Sequence, residues 1–401
     1  METLTSFLRN LFPFKGYKPF VLETGKEILL GLKSRRKCGI CPSCGKRCRN
    51  VEFEYERTIR DLDMAGCHCF LRFSQKKIRC KCGFRGLEKL DFVSKSRRVT
   101  ARMATYVVSL CDKMNLKDTS IITCLDWKTV KNIDKEYLRT LLPDISSLTI
   151  SRIAIDEIAI MKGHRYLTII RDYDSGIAIK VLFGRNYEET AYALAKLGKE
   201  KLNAILFAVM DMWDPYIKAI TEQCPNVQII FDKFHIAKKV NEALDKVRRN
   251  EFANANPDER INMKRKRFII LRRENNLNSI QQEQLNCLMA NNEKLYKSYL
   301  LKEQILTIFE DKTSTFEQIQ QRFNTWFENV LSNGIEEFYG VVNTMRHYLY
   351  GILNYFKHNM TNAIAEGFNT KINIIKRRAY GFADIEYFIL KIYQSSLPRL
   401  A

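Results

Sequence analysis

Four carboxylates stand where metal chemistry on a phosphodiester could be done. Asp156 interrupts the apolar run Ile153-Ala-Ile-Asp-Glu-Ile-Ala-Ile160, and Asp211 follows Ala204-Ile-Leu-Phe-Ala-Val-Met210. Asp232 follows Val227-Gln-Ile-Ile-Phe231 and opens Asp-Lys-Phe-His235. Glu366 lies in a long stretch of helical pattern that starts at Thr361. Carboxylates held side by side repel, and a divalent cation bound through oxygen relieves that repulsion. Two such ions about 4 Å apart activate a water or a 3′-hydroxyl and stabilise the leaving oxygen.

The elements around these residues decide whether they can meet. The run through Asp156 reads as a strand, Lys162-Gly163 as a turn, and Tyr166 to Ile170 as a second strand. Asp174-Ser175-Gly176 turns again into a third strand, Ile177 to Phe183, and a helix follows from Tyr187 to Leu202. The run ending at Met210 is a fourth strand; a helix opened by Pro215 comes next, then the fifth strand ending at Phe231. Three meandering strands, then helix, strand, helix, strand, is the order of the ribonuclease H-like fold. In that order the first and fourth strands are neighbours, so Asp156 and Asp211 should meet, and Asp211 is preferred over Asp232 as the second metal-binding carboxylate. A later helix should bring the third, Glu366. At helical spacing Glu366, Asn369, Asn373 and Lys376 or Arg377 form one polar stripe: a metal ligand, then amides, then cations for phosphate.

Eight of the 12 cysteines fall within residues 38–85. Cys41-Pro-Ser-Cys44-Gly is a zinc-knuckle half, and Cys80-Lys-Cys82-Gly is its natural second half. Two such turns can hold one Zn²⁺ on Cys41, Cys44, Cys80 and Cys82. Two other groupings compete. Cys38, Cys41, Cys44 and Cys48 have the spacing of half an iron–sulfur site, although Arg49 replaces the proline that usually follows. Cys67-His68-Cys69 could supply one ligand pair instead. Cys111, Cys124, Cys224 and Cys287 are expected to be buried apolar residues.

Residues 101–115, 118–125 and 128 onward form two short helices, a turn at Asp126-Trp127 and a third helix. This is a helix-turn-helix layout, with Lys128, Thr129, Lys131 and Asn132 expected at DNA. Charge agrees: Lys and Arg outnumber Asp and Glu by 66 to 45, a net +21. The first 100 residues hold 23 of the cations against 10 acids. Such a surface attracts nucleic acid. No apolar run reaches membrane-spanning length, and no signal-peptide pattern opens the chain. The expected setting is the cytoplasm, where thiols stay reduced.

Together, the CPSCG module, IAIDE, AVMDMWDPY, FDKFH and AEGFNTKINIIKRRAYGF resemble transposases of the ISL3 insertion-sequence family. The resemblance covers nearly the whole chain. It implies a DDE transposase that uses Mg²⁺ or Mn²⁺, two ions per site, with Asp156, Asp211 and Glu366 as the triad. Asp232 and His235 match an element that follows the second catalytic Asp in related enzymes, which implies a supporting or DNA-positioning pair. The separation of 155 positions from Asp211 to Glu366 implies a helical insertion. Its basic stretch, with Lys264, Arg265 and Arg267, could hold phosphates. Trp326 could stack on a displaced base, although a core position fits it better.

The expected architecture is therefore multidomain α/β. It comprises a helical lead-in (1–37), a zinc-binding module (38–98), a helix-turn-helix (99–145) and a first core part (146–239). An all-helical insertion (240–355) and C-terminal core helices carrying Glu366 (356–401) complete it. The expected partners are double-stranded DNA, at element ends and target, and further copies of the chain. Two other functions share these features: a zinc-containing DNA-binding regulator descended from a transposase but inactive, and a ribonuclease H-like nuclease.

Overall fold

The computed structural model describes residues 4–94, 98–161, 165–361 and 363–398. The chain divides into two compact units, one of residues 1–142 with 373–394, the other of 143–372 with 395–401.

The first unit opens with helix α1 (Leu4–Leu11) and strands β1 (Tyr17–Glu23) and β2 (Glu27–Ser34). The expected helical lead-in is thus mostly sheet. The apolar clusters Phe20-Val21-Leu22 and Ile28-Leu29-Leu30 flank a Gly25 turn and pair antiparallel, Val21 opposite Leu30. Strands β3 (Gly39–Ile40) and β4 (Arg47–Cys48) form a small ribbon. A long hairpin of β5 (Val51–Arg60) and β6 (His68–Arg79), plus β7 (Arg85–Leu87), completes a sheet of order β1-β2-β6-β5, with β7 on β6. Alternate residues Cys69, Leu71 and Phe73 of β6 point into a core with Leu8, Phe12, Leu30 and Phe92.

Helices α2 (Ala101–Lys113), α3 (Leu116–Thr123) and α4 (Trp127–Thr140) follow. Each begins where a short polar side chain accepts a first-turn N–H: Thr100 from Met103, Asn115 from Asp118, Asp126 from Lys128. The Arg102 guanidinium ties this bundle to the sheet. Its Nε donates to the buried Asp61 carboxylate at 2.8 Å, its Nη1 to the Leu11 carbonyl at 2.7 Å, and it stacks over Phe12.

The second unit is built on strands β8 (Arg152–Met161), β9 (Arg165–Asp172), β10 (Ala178–Phe183), β11 (Phe207–Met210) and β12 (Gln228–Phe231). Their order is β10-β9-β8-β11-β12, antiparallel through the first three and parallel from β8 to β12. Helices α5 (Tyr187–Ala195) and α6 (Lys199–Ala204) divide at Gly198, whose φ of +86° breaks what reads as one helix in sequence. Helix α7 (Asp214–Gln223) lies against α5.

From Lys233 the chain is helical. Helices α8 (Lys233–Asn254), α9 (Pro257–Met263), α10 (Arg267–Leu271), α11 (Ser279–Ala290) and α12 (Glu293–Glu310) come first. Then follow α13 (Phe316–Ser332), α14 (Tyr339–His347) and α15 (Leu349–His358). Helix α15 returns to edge strand β12. Asn354 Nδ2 donates to the Ile229 carbonyl at 2.8 Å, and Phe231 sits edge-on to Tyr348 and Tyr350. Gly351 permits this approach, since a Cβ there would lie 2.5 Å from the Phe231 ring.

Helix α16 (Ala363–Arg378) starts in the second unit, and its residues from Asn373 on belong to the first. Helix α17 (Ile385–Ser396) corrects the expected division, because residues 385–394 pack in the first unit rather than the core. Tyr387 and Leu390 bury against Leu138 of α4, and Lys391 Nζ pairs with the buried Asp134 carboxylate at 2.7 Å. Tyr387 Oη donates to the same carboxylate at 2.5 Å. Asp134 reads in sequence as an ordinary polar helix residue, which hides this docking.

Gly351→Ala should lower stability by about 1–3 kcal/mol through overpacking against Phe231. Denaturant unfolding of the variant beside the parent chain measures it.

Candidate functional site

The parallel pairing of β8, β11 and β12 sets three acids level. The last paired residues are Ala154 with Val209, and Met210 with Phe231. Continued along each strand, this register brings positions 156, 211 and 232 to one end of the sheet.

Their environments differ. Asp156 is 9% exposed, and its Oδ1 accepts the Glu157 N–H at 2.7 Å. Its Oδ2 accepts Asn369 Nδ2 at 2.6 Å, so α16 meets β8 through the polar stripe legible in the sequence. Burial, and then the negative charge of Asp211, push Asp156 up to about 6 against the pull of these donors. Asp211 receives His235 Nε2 at 2.7 Å, and this bond foremost raises the pKa of the imidazole. Asp232 is buried and caps α8, accepting the Phe234 N–H at 3.1 Å. The Asp-x-x-His spacing acquires a mechanical meaning here. Asp232 starts the helix whose first turn delivers His235 to Asp211.

Arg171 was not singled out in the sequence. It stands in β9 opposite Ala154, fully buried, with its guanidinium over the Phe368 ring of α16 at 4.7 Å. Its charge favours the ionised form of Asp156. The only hint was a cation inside the apolar run Tyr166-Leu-Thr-Ile-Ile-Arg171. Arg185 was missed too. It lies between the Tyr166 and Trp213 rings at 4.4 and 4.5 Å and faces Glu157 at 3.4 Å. Glu366 falls in the first turns of α16, where side chains lie outside the described residues.

A divalent cation suits the donor set here. Two carboxylates crowd one another on neighbouring strands, and the Asn369 Oδ1 beside them is buried without a hydrogen-bond partner.

The cysteines resolve clearly. Cys41, Cys44, Cys80 and Cys82 place their sulfurs within 4.8 Å of one another, with Cys41–Cys82 and Cys44–Cys80 both at 3.6 Å. A tetrahedral zinc with Zn–S near 2.3 Å has sulfur edges of about 3.8 Å, so the four thiols fit Zn²⁺. Gly45 and Gly83 take φ of +71° and +91°, the left-handed turn of each knuckle. The Phe84 N–H lowers the Cys82 thiol to about 7. The iron–sulfur grouping fails because Cys48 is turned away, donating to the Arg79 carbonyl at 2.9 Å. Cys69 is buried in the sheet core, which removes the Cys67–Cys69 alternative. Cys111 and Cys224 are buried as expected, but Cys124 and Cys287 are exposed. Cys124 ends α3 in a left-handed turn, which projects it from the bundle.

On α4, Lys128 and Asn132 are exposed and, with Arg98 and Arg139, line a cleft of about 490 Å³. Two expected contacts are corrected. Thr129 is buried beneath Arg98, and Lys131 pairs with Asp384, just before α17, at 3.1 Å. Lys135 reaches Asp384 and Glu386 at 3.0 and 2.7 Å, and Arg139 reaches Glu386 at 2.6 Å. Asp384 and Glu386 thus satisfy one flank of α4, leaving the Lys128–Asn132 flank open. Along α16, Asn373 and Arg377 are exposed and Lys376 is half-buried. Lys264, Arg265 and Arg267 are exposed at the α9–α10 corner. Trp326 is 1% exposed, and its indole donates to the Leu301 carbonyl at 2.8 Å, so it is core and stacks on no base.

Three stretches of the chain match known families. Residues 153–392 match a family described as "Transposase", of the ISL3 type. Residues 88–138 match the helix-turn-helix domain of transposase family ISL3, and 38–82 the zinc-finger of transposase IS204/IS1001/IS1096/IS1165. The transposase for insertion sequence element IS1001 of Bordetella parapertussis is 32% identical over 375 residues, 92% of each chain. The chain belongs to the ISL3 family of transposases. A second relative, the transposase for insertion sequence element IS1557 of Mycobacterium tuberculosis, is 26% identical over 59% of this chain and 58% of its own. Among the described residues, no helix of this transposase is long and apolar enough to cross a membrane.

Cys44→Ser should drop bound zinc from one per chain to well below that by elemental analysis. It should also melt the 38–87 segment at lower temperature, because zinc binding and folding are linked. An unchanged zinc content would remove Cys44 from the ligand set.

Proposed function

We propose that this transposase cuts and joins DNA with a DDE site made of Asp156, Asp211 and Glu366. The core is read as ribonuclease H-like, with α8 to α15 as an all-helical insertion. The observation that carries the reading is the juxtaposition of Asp156 and Asp211 at one end of a sheet of order β10-β9-β8-β11-β12, with α16 joined to Asp156 through Asn369. Glu366 precedes Asn369 by three residues, the spacing of helical neighbours. A ribonuclease H-like nuclease needs neither the zinc ribbon nor the helix-turn-helix, and an inactive descendant needs no pair of crowded carboxylates.

Asp156 and Asp211 would hold the divalent cations, Mg²⁺ or Mn²⁺, with Glu366 as third ligand. When bound, the pair of ions supplies an activated nucleophile and charge stabilisation at the leaving oxygen. The protein's own groups prepare that site. His235 fixes the Asp211 carboxylate through Nε2, and Asp232 fixes His235 by starting α8. Asn369 orients Asp156, and Arg171 offsets its buried charge. Lys128 and Asn132 are assigned to element-end DNA, and Asn373, Lys376 and Arg377 to phosphates. The chain would act as a homo-oligomer that holds two ends together.

Asp156→Asn should abolish cleavage and joining of donor DNA in Mg²⁺, with end binding retained in a gel-shift assay. Asp211→Asn should lose at least about a thousandfold. Asp232→Asn keeps a capping side chain and should lose no more than about tenfold. A cleaving Asp156→Asn chain would overturn the site, and equal losses at Asp211 and Asp232 would overturn their division of roles.

A further inference from the structure

The corner between α9 and α10 exposes apolar side chains where a folded helical unit has no internal use for them. Phe268 is 70% exposed and Ile261 is 71% exposed. Their neighbours Met263, Ile269 and Ile270 are buried, so the corner is anchored to the core while these two project. Arg265 at its tip takes a φ of +61°, a left-handed turn rare for a side chain of this size.

The charge along the corner is unequal, with Asp258 and Glu259 of α9 outnumbered by the cations that follow. Lys264-Arg265-Lys266-Arg267 are four successive cations. Arg267 lies 5.8 Å from the Phe268 ring centre. It also meets Asp245, which already serves Arg248 at 2.8 Å and Arg249 at 3.5 Å. One carboxylate therefore faces three guanidiniums, and the surplus stays positive. A protein partner for an apolar projection would not call for this excess, whereas a polyanion does.

We propose that the α9–α10 corner is a DNA wedge. Phe268, backed by Ile261, enters a base step of duplex DNA, and the surrounding cations hold the phosphates on either side. Apolar side chains inserted this way unstack a step and kink the duplex, and the bent DNA then covers more of the protein. The inference rests on the reading of the chain as a transposase acting on DNA. It adds a contact that bends the substrate and takes no part in the chemistry.

The test uses the full chain with its zinc and a 30-base-pair duplex from the end of its own genomic element, dye-labelled at both termini, without added Mg²⁺. The parent chain should raise energy transfer through a bend within about 20–90°. Phe268→Ala should leave the DNA straight and bind about tenfold more weakly with an unchanged salt slope. Phe268→Leu keeps an apolar wedge and should retain the bend. Lys264→Gln with Arg265→Gln should reduce the slope of log K against log salt by about 2 and keep the bend at saturation. If Phe268→Ala bends and binds like the parent, the wedge is wrong. It is equally wrong if that variant changes only the oligomeric state in sedimentation, which would make the ring a protein contact. If, in a parallel reaction with Mg²⁺, the parent chain cleaves donor DNA while Phe268→Ala bends and binds DNA as the parent does, the wedge alone is defeated. A parent chain that neither binds nor cuts defeats the transposase site as well.

Discussion

Everything at the candidate site depends on the repulsion between two carboxylates that the sheet forces together. Parallel pairing of β8 with β11 leaves Asp156 and Asp211 no other place, and burial of Asp156 denies it the water that would screen its charge. The structure stabilises this arrangement from outside the pair. His235 pairs with Asp211 across 2.7 Å, the Asn369 amide and Glu157 N–H hydrogen-bond to Asp156, and Arg171 lends its positive charge without a direct bond. These supports come from α8, α16, β8 and β9, so the elements around β8 and β11 are fixed by what the two acids require. A site so built stores an unfavourable charge density that a divalent cation would neutralise.

The first unit is organised by the opposite sign. Its cations exceed its acids, and its few buried carboxylates are used as anchors. Asp61 receives Arg102 and joins sheet to helices; Asp134 receives Lys391 and Tyr387 and docks α17. Asp384 and Glu386 quiet one flank of α4 while the other stays open. The open basic side of the helix-turn-helix is therefore defined as much by which cations are already paired as by which are present. Breaking a buried pair by removing one partner is costly, so these anchors act as rigid joints.

Much of this was legible in the residues. The five strands, their order and the meeting of Asp156 with Asp211 follow from apolar runs, turn residues and topology. The cluster of four thiols follows from two Cys-Gly turns, and the three helices of residues 101–140 from capping residues and periodicity. What was not legible depends on tertiary pairing. The β1–β2 hairpin looked helical because its apolar residues cluster instead of alternating. Helix α17 left the core because Asp134 and Lys391, 257 positions apart, neutralise each other in a buried site. Lys131 looked free for DNA until Asp384 met it, and Arg171 and Arg185 acquire meaning only from Phe368, Tyr166 and Trp213 packed against them. Asp232 shows the same limit. Its spacing to His235 was visible, but its service as a helix cap was not.

The central claim is that Asp156 and Asp211, and not Asp232, hold the catalytic cations. A crystal of the zinc-loaded chain soaked in Mn²⁺, read by anomalous scattering at the manganese edge, tests it directly. The account predicts manganese within about 2.0–2.4 Å of oxygens of Asp156 and Asp211, with Asp232 still capping α8. Manganese bound to Asp232 in place of Asp211, or none at Asp156, would contradict it.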